Sequence, residues 1–429
     1  MTSGGVHSGE AARRRLRKRH AAERRFRLYG LAAIGLALGA LVTLLGTVVV
    51  RGLPAFFGYE VTLDLHLDAA RLDPQGGRRP GDLGRGDYGR VVKDALRALF
   101  PEVKGRRERR RLHALVSSGA AFDLRERVLA EPDLVGSTIA LAVPLSDDAD
   151  LFFKGGVDAE AAEADRRLSD AQITWLRALQ SEGRVARRFW TRFFRAGDSR
   201  EPELAGIWGA LVGSLWTLGV TLLLSFPLGV AAAVYLEEFA PKGRLTDFIE
   251  VNINNLAAVP SIVFGLLGLA VFLNLSGLPR SAPLVGGLVL ALMTLPTVII
   301  ASRSSIMAVP PGIREAAMGI GASPIQVVGH HVLPLALPGI LTGTILGMAR
   351  ALGETAPLLM IGMVAFIVDV PTGPTAPATV LPVQVYLWAD SPERAFVAKT
   401  SGAILVLLAF LVAMNLAAVL LRSRFERRW

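Results

Sequence analysis

Long apolar stretches constrain the fold of this chain more than any other feature of its sequence. The first, residues 28–50, carries no charge. At about 1.5 Å per residue, a helix of this length spans about 34 Å, enough to cross a bilayer. Further stretches lie at residues 208–236, 251–273, 282–301, 332–368 and 400–421. Prolines interrupt some of them, which transmembrane helices tolerate. We therefore predict an all-α polytopic membrane protein with six transmembrane helices.

Composition supports membrane insertion and excludes several kinds of site. Hydrophobic residues make up 52% of the 429, and the mean hydropathy is +0.43. The net charge of +10 is concentrated at the termini, which indicates lipid head groups and membrane topology rather than nucleic acid. The chain has no cysteine, which excludes disulfides and thiolate metal sites. Its six histidines lack the H-E-x-x-H spacing, so we expect no metal site.

The basic N-terminus sets the expected topology. Nine arginines and lysines between Arg13 and Arg27 precede the first apolar stretch, and basic flanks stay in the cytoplasm. A cleaved signal peptide also begins basic, but its apolar core is shorter and ends at a small-residue cleavage site. We favour an uncleaved anchor at residues 28–50. Six spans then return the C-terminus to the cytoplasm, in agreement with its arginines.

Residues 51–204 are polar and predict a small α+β domain outside the cytoplasm, inserted between the first and second spans. Val61, Leu63, Leu65 and Leu67 alternate with polar residues, the period of a half-buried strand. Residues 136–145 predict a second strand, and residues 88–131 and 159–195 predict charged helices. Five arginines between Arg106 and Arg111 favour a solvated helix face, with an anion-binding patch as the alternative.

A polar gap before the fifth span predicts a helix–turn–helix on the cytoplasmic side. Pro310, Pro311 and Gly312 break the chain before a short helix, and this places Glu315 in its first turn, near the positive end of the macrodipole. Gly321 permits a turn. Ser323 is a favourable N-cap and Pro324 a favourable first residue for a second helix. An ordinary amphipathic connector is the alternative interpretation.

Two opposite charges lie within the fifth apolar stretch. Arg350 and Glu354 are four residues apart, so we expect them to share one helix face. Together with Thr355 they are our candidate residues for a substrate path. Charges inside a membrane are costly and commonly face an aqueous path or a bundle interior. We predict that Arg350 binds an anionic substrate transiently and that Glu354 holds or releases it. A structural ion pair is the alternative.

The spacing of the polar gap is similar to a known motif. Glu315, Ala316, Ala317, Gly321, Leu333 and Pro334 match the E-A-A-x₃-G-x₉-I-x-L-P loop of ATP-binding cassette (ABC) importer permeases, with His331 at the isoleucine position. The segments Y-L-E-E-F-A-P-K at residues 235–242 and R-A-L-G-E-T-A-P at residues 350–357 resemble the A-type permease subunit of phosphate-specific (Pst) ABC transporters. The resemblance covers about residues 204–429 and the anchor helix. The insert is similar to the extra N-terminal region of longer family members.

This resemblance implies a type I importer permease fold in the cell inner membrane. Its domains would be a basic cytoplasmic N-terminus, an anchor helix, an extracytoplasmic insert, a permease domain with a coupling loop at about 303–332, and a basic tail, at residues 1–27, 28–50, 51–204, 205–422 and 423–429. The loop residues from Glu315 to Pro334 would dock the ATPase. Since the chain has no P-loop, ATP and Mg would be used by a separate ATPase chain. We expect no catalytic residue and no cofactor on this chain.

The implied partners are a homologous second permease, two copies of the cytoplasmic ATPase and an extracytoplasmic phosphate-binding protein. The implied function is import of inorganic phosphate. Another oxyanion, such as phosphonate, molybdate or sulfate, is the alternative within the same class. A membrane-anchored sensor or scaffold of phosphate signalling is the alternative from a different class, but it gives no reason for the Glu315 spacing or for charges within the fifth span.

Overall fold

The computed structural model describes residues 10–74 and 76–425, with side chains from residue 14 to residue 424 except position 75. The chain divides into two units after Arg51. The described residues of the first unit, 10–51, lie in one long helix, α1 (Glu10–Gly52), which contains the uncharged stretch and also the basic residues before it. Its length and composition suffice to cross a membrane.

The second unit begins with a mixed region that contains three strands, β1 (Phe57–His66), β2 (Thr138–Pro144) and β3 (Val185–Phe189). They form an antiparallel sheet in the order β2-β1-β3, with Leu63 opposite Leu141. Its helices are α2 (Ala69–Leu72), α3 (Pro80–Leu83), α4 (Tyr88–Leu99), α5 (Arg106–His113), α6 (Gly119–Ala130), α7 (Asp147–Phe153) and α8 (Asp170–Ser181). Val61, Leu63, Leu65 and Leu67 are fully buried in one core with residues of these helices, as the alternation predicts.

The strand β3 was not predicted. It lies within residues 159–195, where the charged pattern predicts helix, and only α8 in that range is a long helix. Most side chains of β3 are exposed, because it is an edge strand that contacts only β1. Without a buried face the two-residue period is absent from the sequence, and pairing with a distant strand decides the conformation.

Helices, most of them apolar, make up most of the rest of the second unit. They are α9 (Trp208–Val234), α10 (Arg244–Ala257), α11 (Ser261–Gly268), α12 (Pro283–Met307), α13 (Pro311–Gly319), α14 (Pro324–Val327), α15 (Leu333–Gly353), α16 (Ala356–Met360), α17 (Leu381–Ala389) and α18 (Ala395–Phe425). α12 is central: it packs against both α9 and α15, and α15 packs against α18. π-helical turns extend α9 to Phe239 and join α14 to α15.

Among the described residues, five helices are long and apolar enough to span a membrane, or six if a bent pair counts as one span. The bent pair replaces the predicted straight span at residues 251–273. α10 starts earlier, at Arg244, and the chain turns by 98° before α11. Pro260 explains the break, since in a continuous helix its ring would clash with the carbonyl of Leu256 and its nitrogen has no hydrogen to donate to that carbonyl.

The predicted span at residues 332–368 is also longer than the helix that the structure has there. Its helix ends at Gly353, and the short α16 and a turn follow. Pro357 explains this end in the same way, because its ring would meet the carbonyl of Gly353. The proline-rich residues 370–399 contain α17 and the start of α18.

Candidate functional site

The predicted helix–turn–helix forms the segment between α12 and α15. α13 ends at Gly319, and Gly321 has φ +93°, the left-handed conformation that glycine tolerates best. Ser323 caps α14: its Oγ accepts from the backbone N–H of Gln326 at 3.4 Å, and its own N–H donates to Gln326 Oε1 at 2.9 Å. We call residues 311–332 the coupling segment.

The position of Glu315 differs from the prediction. α13 begins at Pro311, so Glu315 is the fifth helical residue and lies beyond the first turn. Pro311 occupies the first position of the helix rather than breaking the chain before it, since that position needs no N–H donor. The carboxylate of Glu315 is exposed and has no partner within the described residues.

The other motif residues divide into exposed and anchoring positions. Ala316 and Gly321 are exposed. Ala317 is buried in an apolar cluster with Leu333, and the cluster also contains residues of α9, α12 and α15. Pro334 stands at the start of α15 directly after the π-helical turn Val328–Val332, where its missing N–H interrupts the regular pattern. The motif thus presents one face outward and fixes the other to the helices beneath it.

Two arginines, Arg314 in the coupling segment and Arg303 in α12 before it, form ion pairs with carboxylates of other helices. Arg303 at the end of α12 donates to Glu237 Oε1 at 2.5 Å and lies 2.7 Å from Glu250 Oε1. Arg314, adjacent to Glu315, donates to Glu238 Oε1 at 2.7 Å. These groups are largely buried, so the pairs are shielded from water. α9, α10, α12 and α13 are therefore joined by one ionic cluster.

Arg314 also completes the end of α12. It donates to the carbonyl oxygens of Ile306 at 3.0 Å and Val309 at 2.7 Å, acceptors that a helix end leaves open. Sequence reasoning missed this residue. The available signal was the pair Glu237-Glu238 at the end of an apolar stretch, which requires nearby cations.

Arg350 and Glu354 meet, but not on one helix face. Arg350 lies in the last turn of α15, and Glu354 follows the helix in an extended conformation with ψ 126°. Their side chains approach to 3.4 Å between Nε and Oε1. Glu354 is mostly buried at 19% exposure, whereas Arg350 is 55% exposed. The guanidinium lies at the negative end of the α15 dipole and keeps free donors.

The chain just after Glu354 is held in place by close packing. Thr355 precedes α16, and α16 packs against α11. A Cβ added to Gly265 of α11 would lie 2.7 Å from Pro357 Cα, so only glycine allows this approach. The break in α15 is thus enforced both by Pro357 and by its packing partner. α15 continues directly from the coupling segment. Arg350, Glu354 and Thr355 lie at or just after the opposite end of α15, far along the sequence from that segment.

Comparison with known families assigns the two parts of the chain to different models. Residues 225–429 match a model described as "Binding-protein-dependent transport system inner membrane component". Residues 13–163 match a domain of unknown function, DUF3333. The ionic cluster, the coupling segment and Arg350 all lie within the first match, which defines the class as a membrane component of a transport system.

Similarity to individual proteins indicates a more specific family within this class of transport components. The phosphate transport system permease protein PstA 1 of Mycobacterium tuberculosis strain CDC 1551 is 36% identical over 242 residues, covering 56% of this chain and 78% of the relative. The probable ABC transporter permease protein YqgI of Bacillus subtilis is 37% identical, covering 39% and 57%. The phosphate transport system permease protein PstC of Haemophilus influenzae is 34% identical, covering 35% and 55%. The chain therefore belongs to the family of PstA permease proteins.

Proposed function

We propose that this chain is the permease subunit of an ATP-driven ABC importer that moves inorganic phosphate across the inner membrane. The extensive identity to relatives named as phosphate transport permeases supports the substrate. The observation that carries the mechanism is the coupling segment, which exposes Glu315 while Arg314 and Ala317 fix it to the membrane helices.

The proposed topology has six spans, with the bent pair α10–α11 counted as one. The N-terminus lies in the cytoplasm, the insert at residues 51–204 lies outside, and the C-terminus returns to the cytoplasm. This topology requires the end of α9 and the end of α12 to lie on the same side. The salt bridge between Glu237 and Arg303, at those two ends, supports it.

The proposed partners are a homologous second permease, two copies of an ATPase that uses ATP and Mg, and an extracytoplasmic phosphate-binding protein. Similarity to proteins named PstA and to one named PstC is the expected result if two related permeases form a pair. Exposed apolar side chains on the coupling segment, including Ile320 at 84% and Ile325 at 73%, support docking of another protein there.

In the proposed mechanism, closure of the ATPase dimer moves the coupling segment. The ionic cluster transmits this movement to α9, α10 and α12, because the ion pairs of Arg303 and Arg314 join these helices. α15 continues directly from the segment and carries Arg350 at its far end. Arg350 then offers charged donors to phosphate in the path, and Glu354 competes for them when phosphate leaves.

We expect Arg350→Gln to reduce phosphate uptake by about 10–100-fold, since a charge-assisted contact contributes about 1.5–3 kcal/mol. The measurement is ATP-dependent uptake of labelled phosphate by the complete complex in proteoliposomes. Arg280→Gln, in an exposed loop, is the matched control. Unchanged uptake and unchanged ATPase coupling in Arg350→Gln would remove Arg350 from the substrate path. Competition by unlabelled phosphonate, molybdate or sulfate in the same assay tests the substrate itself.

A further inference from the structure

Two basic helix faces in the inserted region oppose each other across one concavity. On α4, Lys93 and Arg97 are four residues apart and share a face. On α5, Arg109, Arg110 and His113 follow Arg106 by three, four and seven residues and therefore share one helix face with it. The concavity has a volume of about 610 Å³ and is lined by Lys93, Arg97, Lys104, Arg106, Arg109, Arg110 and His113.

Most of these cations lack a carboxylate partner. Arg97 pairs with Asp94 at 3.2 Å, but Asp94 also pairs with Arg71 at 2.7 Å. Within the described part of the chain, no carboxylate oxygen lies within 4.0 Å of the side-chain nitrogens of the remaining cations. These are Lys93, Lys104, Arg106, Arg109 and Arg110. By contrast Arg111, on another face of α5, pairs with Glu163 at 3.5 Å.

Helix stability does not explain the arrangement. Cations at the C-terminal end of a helix are favourable, which accounts for Arg110 and His113. Arg106 instead lies in the first turn of α5, where the macrodipole opposes a positive charge. The pKa of His113 is lowered by burial and further by Arg97 and Lys93, in keeping with a positive potential inside the concavity.

An apolar groove of about 400 Å³ adjoins the basic concavity and shares Lys93 and His113 with it. Val92, Leu96 and Phe122 line the groove, and Phe122 is 64% exposed. The side of the groove that contains Ser118 is near α9, the first membrane helix of the permease domain. Ser118 in its wall donates to Glu201 at 2.6 Å, a few residues before α9.

We propose that the basic concavity binds a phosphate-bearing anion, either a soluble polyphosphate or the head group of an anionic phospholipid. A carboxylate has one charge, whereas a phosphate group or a pair of them carries enough charge and acceptor oxygens for several guanidiniums. The adjoining apolar groove offers space for the start of an acyl chain, which distinguishes the two sources. This assignment does not depend on the transport function, because binding is measured on the chain itself.

The test uses the full chain in an uncharged detergent and measures affinity by titration calorimetry. One arm uses pyrophosphate, and the other uses dihexanoyl phosphatidic acid with dihexanoyl phosphatidylcholine as the uncharged reference. We expect saturable binding in at least one arm and at least about tenfold weaker binding in Arg106→Gln/Arg110→Gln. Arg177→Gln/Arg188→Gln removes the same charge from exposed positions outside the concavity and should stay within about twofold.

Tighter binding of phosphatidic acid identifies the lipid source, and binding of pyrophosphate without that preference identifies the soluble one. Lys104→Gln, in an exposed loop, gives a smaller loss in the same direction and covers the case in which the double variant misfolds. Absence of saturable binding in both arms, or equal affinities in the variants and the unmodified chain, overturns the proposal; an acidic protein surface would then be the better candidate ligand.

Discussion

Single charged side chains decide how the coupling segment is attached. Arg314 contacts Glu238 and two carbonyl oxygens of the α12 end at once. Glu238 is only 11% exposed, so losing its partner leaves a nearly buried carboxylate without compensation. The adjacent Glu315 is exposed and makes no such contact. Neighbouring residues therefore have separate roles, one inward and one outward.

We expect Arg314→Gln to lower the stability of the chain by about 1–3 kcal/mol, since it removes a charge-assisted hydrogen bond and leaves Glu238 unpaired. The measurement is the thermal unfolding midpoint in detergent, together with the amount of ATPase subunit that co-purifies. Lys242→Gln removes an exposed charge close by in the sequence and should change neither quantity. An unfolding midpoint equal to that of the unmodified chain would show that the cluster does not fix α13.

At the scale of elements, prolines and glycines set where helices end and how they join. α10 ends three residues before Pro260 and α15 ends four residues before Pro357, and this produces the bent pair and the break after Arg350. Gly321 makes the turn between α13 and α14 possible through its positive φ of +93°. A Cβ added at Gly321 would meet no other atom nearby, so the free-energy cost of replacing this glycine would come only from the backbone conformation.

Gly321→Ala and Gly319→Ala form a matched pair. Neither added methyl group meets another atom within 4 Å, but only Gly321 has a positive φ. We expect Gly321→Ala to cost about 1–2 kcal/mol of local strain and to weaken ATPase association, whereas Gly319→Ala, at the last position of α13, should be neutral or slightly stabilising. Affinity of the purified ATPase for each variant gives the comparison. Equal effects of the two substitutions would contradict a role for the turn.

At the scale of the whole molecule, the inserted region and the permease helices share buried polar contacts. Glu203, just before α9, lies in a small cavity lined by Asp150 and Lys154 of the insert and by Lys399 at the start of α18. Trp388 of α17 donates through Nε1 to Asp198 Oδ1 of the inserted region at 2.9 Å. The pKa of Glu203 is raised to about 7 by burial, against the opposing effect of a hydrogen bond from Ser117.

This shift gives a pH dependence with a defined sign. The folded chain holds the Glu203 proton more tightly than the unfolded chain, so the contribution of this group to stability is greatest below pH 4.5 and is lost as the pH rises through about 7. The full loss is up to about 3 kcal/mol. We expect Glu203→Gln to reduce the fall of the unfolding midpoint between pH 5 and pH 8, and the exposed control Glu102→Gln to leave it unchanged. Parallel pH profiles for all three proteins would refute the assignment.

Features with a local cause were predictable from the sequence. The apolar stretches, the strand with Leu63 at its centre, the turn at Gly321 and the cap at Ser323 each follow from a few consecutive residues. The predicted roles of Arg350, Glu354, Thr355 and Glu315 remain predictions. Their predicted positions were partly wrong, since Glu315 lies beyond the first turn and Glu354 lies outside the helix.

The sequence by itself determined that the chain inserts into membranes, where its coupling segment begins and turns, and which family it resembles, because hydropathy, caps and motif spacing act over short range. Tertiary structure alone decided the partners of Arg303 and Arg314, the edge strand β3, the close approach of Gly265 to Pro357 and the facing basic helices α4 and α5. These features join residues that are distant in the sequence. Their energies depend on burial and on which charges meet, and neither quantity can be read from local pattern.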